Sequence, residues 1–215
     1  MNLSKEHYDM YNEYTSIINK IKREVNAIIK RQKIVNRKSK EASNEEIVLL
    51  EKNKHQEIEC SKNKSKIYNF SNGDIYIGKI IDGKMEGIGS YNFVEGIEYV
   101  GEFKENMKSG LGRCTFKSEN VYIGNFSEDT INGIGQMVYK SKDEYMGNWL
   151  DGKKHGKGIY IWEEGKRYEG EFLHGKKHGD GVFYLNNELI YEGTWKFDKP
   201  CIFDRSLDEL FTIKL

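Results

Sequence analysis

Two hydrophobic rhythms divide the chain. Over the first third, Tyr11, Tyr14, Ile18, Ile21, Val25, Ile28, Gln32 and Val35 advance by alternating steps of three and four. That is the a/d seam of an amphipathic helix over nearly four heptads. Neither Pro nor Gly interrupts residues 1–66, so the spacing predicts a long helix over about 5–38. Ser43 with Glu46 forms a capping box, which predicts a second, shorter helix over about 44–59, and Ser61 to Lys66 then reads as a linker.

From Tyr76 onward the rhythm changes. Tyr76, Tyr99, Tyr122, Tyr145, Tyr168 and Tyr191 recur every 23 residues. Two residues after each stands a glycine, and four after each stands Ile80, Phe103, Phe126, Trp149, Phe172 or Trp195. Paired glycines follow eleven and thirteen after the Tyr, as in Gly110 and Gly112 or Gly156 and Gly158. Alternation by two predicts strands, so Tyr99, Gly101 and Phe103 share one face. Seven after each Tyr only Gly, Asn or Asp occurs (Gly83, Asn106, Asp129, Gly152, Gly175, Asp198), the residues that tolerate positive φ at a hairpin corner. Each 23-residue repeat is therefore expected to be one β-hairpin. The glycines should let rings of a neighbouring hairpin lie flat on the sheet. A lone hairpin is marginal in water, so stability should be shared along the array.

The pattern Y-x-G-x-F/W-x-x-G-x-x-x-G-x-G resembles the MORN repeat (membrane occupation and recognition nexus). It covers five repeats over 76–190, a truncated sixth from Tyr191 to Pro200, and an entry strand carrying Tyr68 and Phe70. The resemblance implies a mainly β fold: an elongated, single-layer antiparallel sheet of tandem hairpins, curved into a groove. It also implies cytoskeletal settings such as radial spoke heads and flagellar axonemes. Ile80, Cys114, Met137 and Leu185 stand where aromatics are usual, and Asn106 and Asp129 stand where Gly is usual. These departures are expected to weaken single repeats. The organisation expected is a helical arm (1–66), a repeat array (67–200) and a C-terminal capping helix (201–215) opened by Ser206 and Glu209.

Composition sharpens this only in places. Net charge is zero, but residues 1–66 hold fifteen basic against ten acidic residues, so the arm is basic and the remainder acidic. Between Lys20 and Lys40 stand nine basic residues and one acid, Glu24. Lys20, Lys22, Arg23, Lys30, Arg31, Lys33, Arg37 and Lys38 are the candidate contacts to an anionic surface, whether membrane or filament. Turn lysines Lys153, Lys154, Lys176 and Lys177 could add to them or simply protect a sheet edge. No apolar run spans a membrane, no secretory or lipidation signal is present, and three scattered cysteines suit a reduced compartment. A cytoplasmic protein associated with cytoskeleton or membrane is expected.

His174 and His178 are four apart, but Gly175 and Gly179 argue against a helix, so no metal is expected there. The Gly-x-Gly pairs recur within strands and do not form a phosphate loop. No nucleophile has a base at a recognisable spacing, and acids such as Glu102, Glu169 and Glu171 are expected to face solvent. The reading is thus a non-catalytic scaffold with no cofactor. A partner protein would bind along an aromatic groove at Tyr99, Phe103, Tyr122, Phe126, Tyr145, Trp149, Tyr168 and Phe172. Nucleic acid is not expected, since basic and aromatic residues are not interleaved. The helix seam has four open destinations: a second copy in a homodimeric coiled coil, a partner's helix, the shorter second helix, or the repeat groove. A peripheral membrane adaptor is the alternative function.

Overall fold

This computed structural model describes residues 3–50 and 65–201, with helix side chains described over 10–34. The protein is mainly β. One helix, α1 (Leu3–Leu50), precedes thirteen antiparallel strands among the described residues. They are β1 (Lys66–Asn69), β2 (Ile75–Ile81), β3 (Lys84–Asn92), β4 (Glu98–Lys104), β5 (Met107–Thr115), β6 (Val121–Ser127) and β7 (Thr130–Val138). There follow β8 (Glu144–Leu150), β9 (Lys153–Ile161), β10 (Lys166–Leu173), β11 (Lys176–Leu185), β12 (Glu188–Lys196) and β13 (Lys199–Pro200). The chain forms two compact units. One draws on α1 through Lys20 and on the chain from Ile131; the other runs from Ile21 to Thr130. Within each unit consecutive strands pair in hairpin order.

The expected hairpin corners are present. Gly83, Asn106, Asp129, Gly152, Gly175 and Asp198 all have φ between 65° and 92°, and the residue before each is also left-handed. Two positive-φ residues in succession make the tight turn whose twist matches its strands. Asn106 and Asp129, expected to weaken their repeats, each add a side-chain bond to a backbone N–H. The Asn106 Oδ1 accepts the Met85 N–H at 2.7 Å, and the Asp129 Oδ1 accepts the Lys108 N–H at 2.8 Å. Glycine could not make either bond.

The two glycines of each pair do different work. The register slips between Gly101 and Glu102 and again between Gly170 and Glu171, leaving an extra two residues on the facing strand. Gly110 and Gly179 sit in these bulges at φ +57° and +62°. The bulge ends the simple alternation expected through Gly110 and Gly112. Gly112 instead lies beneath a ring: a Cβ there would sit 2.5 Å from Tyr99 Cε2. Gly181 stands in the same relation to Tyr168 at 2.5 Å. The covering ring belongs to the same hairpin, not to a neighbouring one. Its hydroxyl turns back to the carbonyl three residues on, as Tyr99 does to Glu102 at 2.9 Å and Tyr168 to Glu171 at 3.0 Å.

Helix α1 corrects two expectations. It runs unbroken past Ser43 to Leu50, where two helices with a break after about residue 38 are expected. Lys38 to Asn44 holds no Gly or Pro, and a Ser inside a helix costs only about 0.5 kcal/mol relative to Ala. An internal capping box therefore need not stop a helix. The remainder of the expected second helix and the C-terminal capping helix lie outside the described residues. Second, the arm is not a separate body. Met10, Tyr14, Ile18, Ile21, Val25, Ile28 and Gln32 are buried, so the chain's own array takes the seam. Met10 and Tyr14 pack with Ile159, flanked by Tyr11, Ile134 and Ile161. The Tyr14 hydroxyl donates to the Lys157 carbonyl at 3.0 Å and accepts from Asn148 Nδ2 at 2.7 Å. In the other unit, Gln32 Nε2 donates to the Ile77 carbonyl at 2.6 Å. Gln32 is thus a bonded seam position. Ile159 lies between Gly158 and Tyr160 on β9, so its side chain faces away from the ring layer. The helix covers the face opposite the one where a groove is expected.

Candidate interaction face

The eight rings expected to serve as exposed anchors are all buried, none more than 5% exposed. That expectation is corrected to a core role, for a geometric reason. Each Tyr lies flat over its own glycines and receives ring edges from two sides. In the 21–130 unit, Tyr99 meets Phe103 and Phe126 at 5.1 Å each, nearly perpendicular. Phe103 also meets Tyr76 at 5.2 Å, and Phe126 meets Tyr122 at 5.2 Å. In the other unit, Tyr145 meets Trp149 and Phe172 at 5.0 Å, and Tyr168 meets Phe172 at 5.2 Å and Trp195 at 5.1 Å. Edge-to-face pairs of this kind add about 0.5–1.5 kcal/mol each beyond their buried area. Burial pushes the Tyr99, Tyr122 and Tyr168 hydroxyls far above their usual value.

The ring face also carries a second row of aromatics, on or one residue past the second strands of the hairpins. Tyr91 pairs with Tyr76 and Tyr99, and Tyr160 with Tyr145 and Tyr168, so all share one face. This row is half-buried: Tyr91, Phe93 and Phe116 in one unit, Tyr139, Tyr160 and Trp162 in the other. Tyr139 stacks on Tyr160 at 5.9 Å, and Tyr160 tilts against Trp162 at 4.4 Å. Phe70 stacks on Tyr91 at 5.8 Å, and Tyr91 tilts against Phe93 at 4.3 Å. Acids fix the tyrosines. Asp74 accepts from the Tyr91 hydroxyl at 2.9 Å and from the Val94 N–H at 2.8 Å. Asp143 repeats this with Tyr160 at 3.1 Å and Glu163 at 3.1 Å. The Val94 N–H, first, holds the Asp74 carboxyl below its usual value. Burial, with the bond to Asp74, pushes the Tyr91 hydroxyl up to about 12.

Two turn lysines also belong to this face, not to the sheet edge. Lys177 is 5% exposed and lies 4.5 Å from the Trp195 ring centre and 5.4 Å from that of Trp162. Lys154 is half-buried, 4.4 Å from Tyr160 and 5.6 Å from Phe172. Burial pushes both amines down to about 8, against a pull from Asp198. Lys153 and Lys176 are exposed. The signal for this difference was present: Lys154 and Lys177 stand nine after the repeat Tyr, the strand position directly across from the aromatic at +4.

On the other face Glu169, expected in solvent, is buried and paired with Arg167 at 2.7 Å. Arg167 lies over the Tyr11 ring at 5.2 Å, tying α1 to that face. Of the candidate anionic-surface contacts, Lys20, Arg23, Lys30, Arg31 and Lys33 are exposed on α1 and Lys22 is half-buried, while the side chains of Arg37 and Lys38 lie outside the described residues. Little here suggests catalysis. Cys114 is buried with its thiol pushed up to about 11 by desolvation, which makes it a poor nucleophile. Among the described residues no three His, Cys, Asp or Glu side chains gather as metal ligands, and no helix is long and apolar enough to cross a membrane. The rings of His155 and His174 lie 5.7 Å apart.

Comparison with known proteins agrees with the repeat pattern. The family model of the MORN repeat matches residues 76–97, 99–121, 122–144, 145–167, 168–188 and 191–201. No curated protein matches the chain. Among solved structures, the TCP domain of Drosophila melanogaster SAS-4 (dCPAP), in complex with a proline-rich motif of Ana2 (dSTIL), aligns at 16% identity and TM-score 0.40, over 61% of this chain and 72% of that one. The wild-type TCP10 domain of Danio rerio CPAP, in complex with a STIL peptide, aligns at 11% identity and TM-score 0.23, over 62% and 75%. Scores this low establish no relationship.

Proposed function

The chain belongs to the MORN repeat family, and from that premise we propose that it is a non-catalytic scaffold whose ring face holds a segment of a partner protein. One observation carries the reading. The ring face keeps a row of half-buried, mutually stacked aromatics, while the seam of α1 is buried and its described partners, Ile159 and the Lys157 and Ile77 carbonyls, lie away from that row. Large rings held rigid by neighbours bind with little loss of side-chain freedom. Tyr99, Phe103, Tyr122, Phe126, Tyr145, Trp149, Tyr168 and Phe172 form the floor, and the row from Tyr139 to Trp162 makes the contacts. The partner is a cytoskeletal or axonemal protein, and the scaffold is a cytoplasmic protein at a cytoskeletal structure. Proximity labelling in the native cell, run with the wild type and with Tyr160→Ala and Trp162→Ala, tests this. The expected result is a set of structural proteins lost in both variants. Retention of the whole set by both, or capture of metabolic enzymes alone, counts against it.

A second reading rests on the exposed bases of α1, Lys20, Arg23, Lys30, Arg31 and Lys33. They would hold the protein on anionic phospholipid as a peripheral adaptor. Flotation with phosphatidylserine vesicles should then weaken as salt rises. Absence of flotation at low salt removes this reading.

A further inference from the structure

We propose that Lys154 and Lys177 receive an extended acidic segment of a partner protein, whose carboxylates stand three residues apart. The proposal rests on the scaffold reading and adds the partner's chemistry. Both ammonium groups lie among rings on the ring face, and neither makes an ion pair with a carboxylate among the described residues. Lys108, at the same repeat position, differs: it is paired with Asp129 at 3.5 Å. Met85, Ile131 and Pro200 fill that position in the remaining repeats. The only two adjacent repeats with a cation there are therefore those carrying Lys154 and Lys177.

A cation taken out of water without a counter-charge is costly, and the lowered amine pKa values record that cost. A carboxylate docking beside either lysine supplies the missing charge. The acids near them are already engaged elsewhere. Asp198 accepts the Lys177 N–H at 2.8 Å, and Asp143 accepts from Tyr160 and Glu163. Asp198 and Asp143 thus pull on the amines from a distance, but among the described residues no carboxylate touches either ammonium group, and the site is framed by Tyr160 and Trp162.

Strand spacing sets the pattern of acids. Lys154 lies on β9 and Lys177 on β11, two strands apart within one unit. Lys177 faces Phe172 and Phe172 faces Gly156, so Lys154 stands two residues before that point on β9. Two strand spacings of about 4.8 Å with this offset of about 6.6 Å separate the two Cα atoms by about 11.6 Å. A chain crossing the strands with a rise of about 3.1 Å and three residues per turn returns a side chain to the same side after about 9.3 Å. Acids three apart span all but about 2 Å of that separation, which the flexible lysine stems close, whereas adjacent acids, about 3.1 Å apart, fall far short. A membrane suits this site less well. Lys177 is recessed between two indoles, where a thin segment can reach and a flat headgroup layer cannot.

The test uses the full chain and two fluorescein-labelled ten-residue peptides of Glu, Ser and Leu. One has Glu at positions 2, 5 and 8, and its isomer has its three Glu residues contiguous, so that no two of them stand three apart. Fluorescence anisotropy should show the spaced peptide binding about tenfold tighter, a difference of about 1.4 kcal/mol. Lys154→Met and Lys177→Met should each weaken it about fivefold or more, while Lys153→Met and Lys176→Met change it less than about twofold. The first two variants should keep or raise the thermal midpoint, because replacing a buried charge with a hydrophobe of similar length is seldom destabilising. Equal affinity for both isomers, or indifference to Lys154→Met and Lys177→Met, overturns the proposal. So does binding that appears only after residues 202–215 are removed, which would make the chain's own tail the occupant. Capture by phosphatidylserine vesicles that depends on Lys154, with no peptide binding, also overturns it in favour of lipid. If the peptide fails while Tyr160→Ala and Trp162→Ala still lose their partners in the cell, the acidic segment is wrong and the scaffold stands. If those variants keep their partners, the scaffold reading itself falls.

Discussion

At the scale of single residues the array depends on two kinds of glycine, which substitution separates. Gly112 lies in extended backbone beneath the Tyr99 ring, and a Cβ there would also come within 2.6 Å of the Tyr99 hydroxyl. Gly83 has φ +79°, and a Cβ there would have nothing within 4 Å. Gly112→Ala must displace a ring already held by two edge contacts, so it should cost about 2–4 kcal/mol, at the upper range for overpacking. Gly83→Ala meets only backbone strain and should cost about 1 kcal/mol. Urea unfolding of the two variants checks the ordering. A Gly83→Ala cost equal to that of Gly112→Ala would show that the ring seat matters less than its geometry implies.

The helix belongs to the next scale up, and its attachment can be probed at one hydroxyl. Tyr14→Phe removes the bonds to Lys157 and Asn148 while keeping the packing with Met10 and Ile159. Asn148 Nδ2 still donates to the Lys157 carbonyl at 3.1 Å, so no backbone group is orphaned and the loss should be about 1 kcal/mol. Ile18→Asp puts a charge at a position 1% exposed and should cost about 3 kcal/mol or more. Hydrogen exchange should then show the amides of α1 around residue 18 losing protection before those of the strands. Loss of protection in strand and helix together would mean that the helix is needed for the strands to form.

Much of this was legible in the residues. A period of 23 with Tyr, Gly and an aromatic at fixed offsets specified hairpins, and the restriction to Gly, Asn or Asp located the turn inside each, though not the turns at Gly96, Glu119, Lys142 and Gly165 that join one hairpin to the next. The seam of α1 was equally plain. Its cover was not, because an amphipathic stripe states that something lies over it and leaves open what. The candidate site was legible by face but not by depth. Alternation puts Tyr99 and Phe103 on one side of the sheet, but says nothing of whether neighbouring rings fill the space above them. The bulge at Gly110 was hidden for a related reason: glycines two apart look like one strand face until the register shift between them is known. The face of Lys177 was legible from its place nine after Tyr168, across from Phe172, but its depth was not, because only the rings of Trp162 and Trp195 cover it.

For the molecule as a whole, buried amines and buried phenols set opposing limits on stability with pH. Lys154 and Lys177 titrate near 8 in the folded chain and near 10.4 when unfolded. Between these values the unfolded chain binds more protons, so stability should rise as pH climbs from about 8 towards 10. Tyr99, Tyr122 and Tyr168 are shifted the other way, well above 10, by desolvation. Above pH 10 the unfolded chain loses phenolic protons that the folded chain keeps, so stability should fall. The fully exposed amines of Lys84 and Lys142, each beside a glutamate, add little to either limb. The unfolding free energy should therefore pass through a maximum near pH 9.5–10, with a rise on the acid side on the order of 1–3 kcal/mol. Denaturant titrations at half-unit steps from pH 7 to 11 test this. The double variant Lys154→Met with Lys177→Met should remove the rise and leave the alkaline fall intact. A rise that survives in the double variant would mean that the two amines keep their water, and that the ring face holds no desolvated charge for an acidic segment to neutralise.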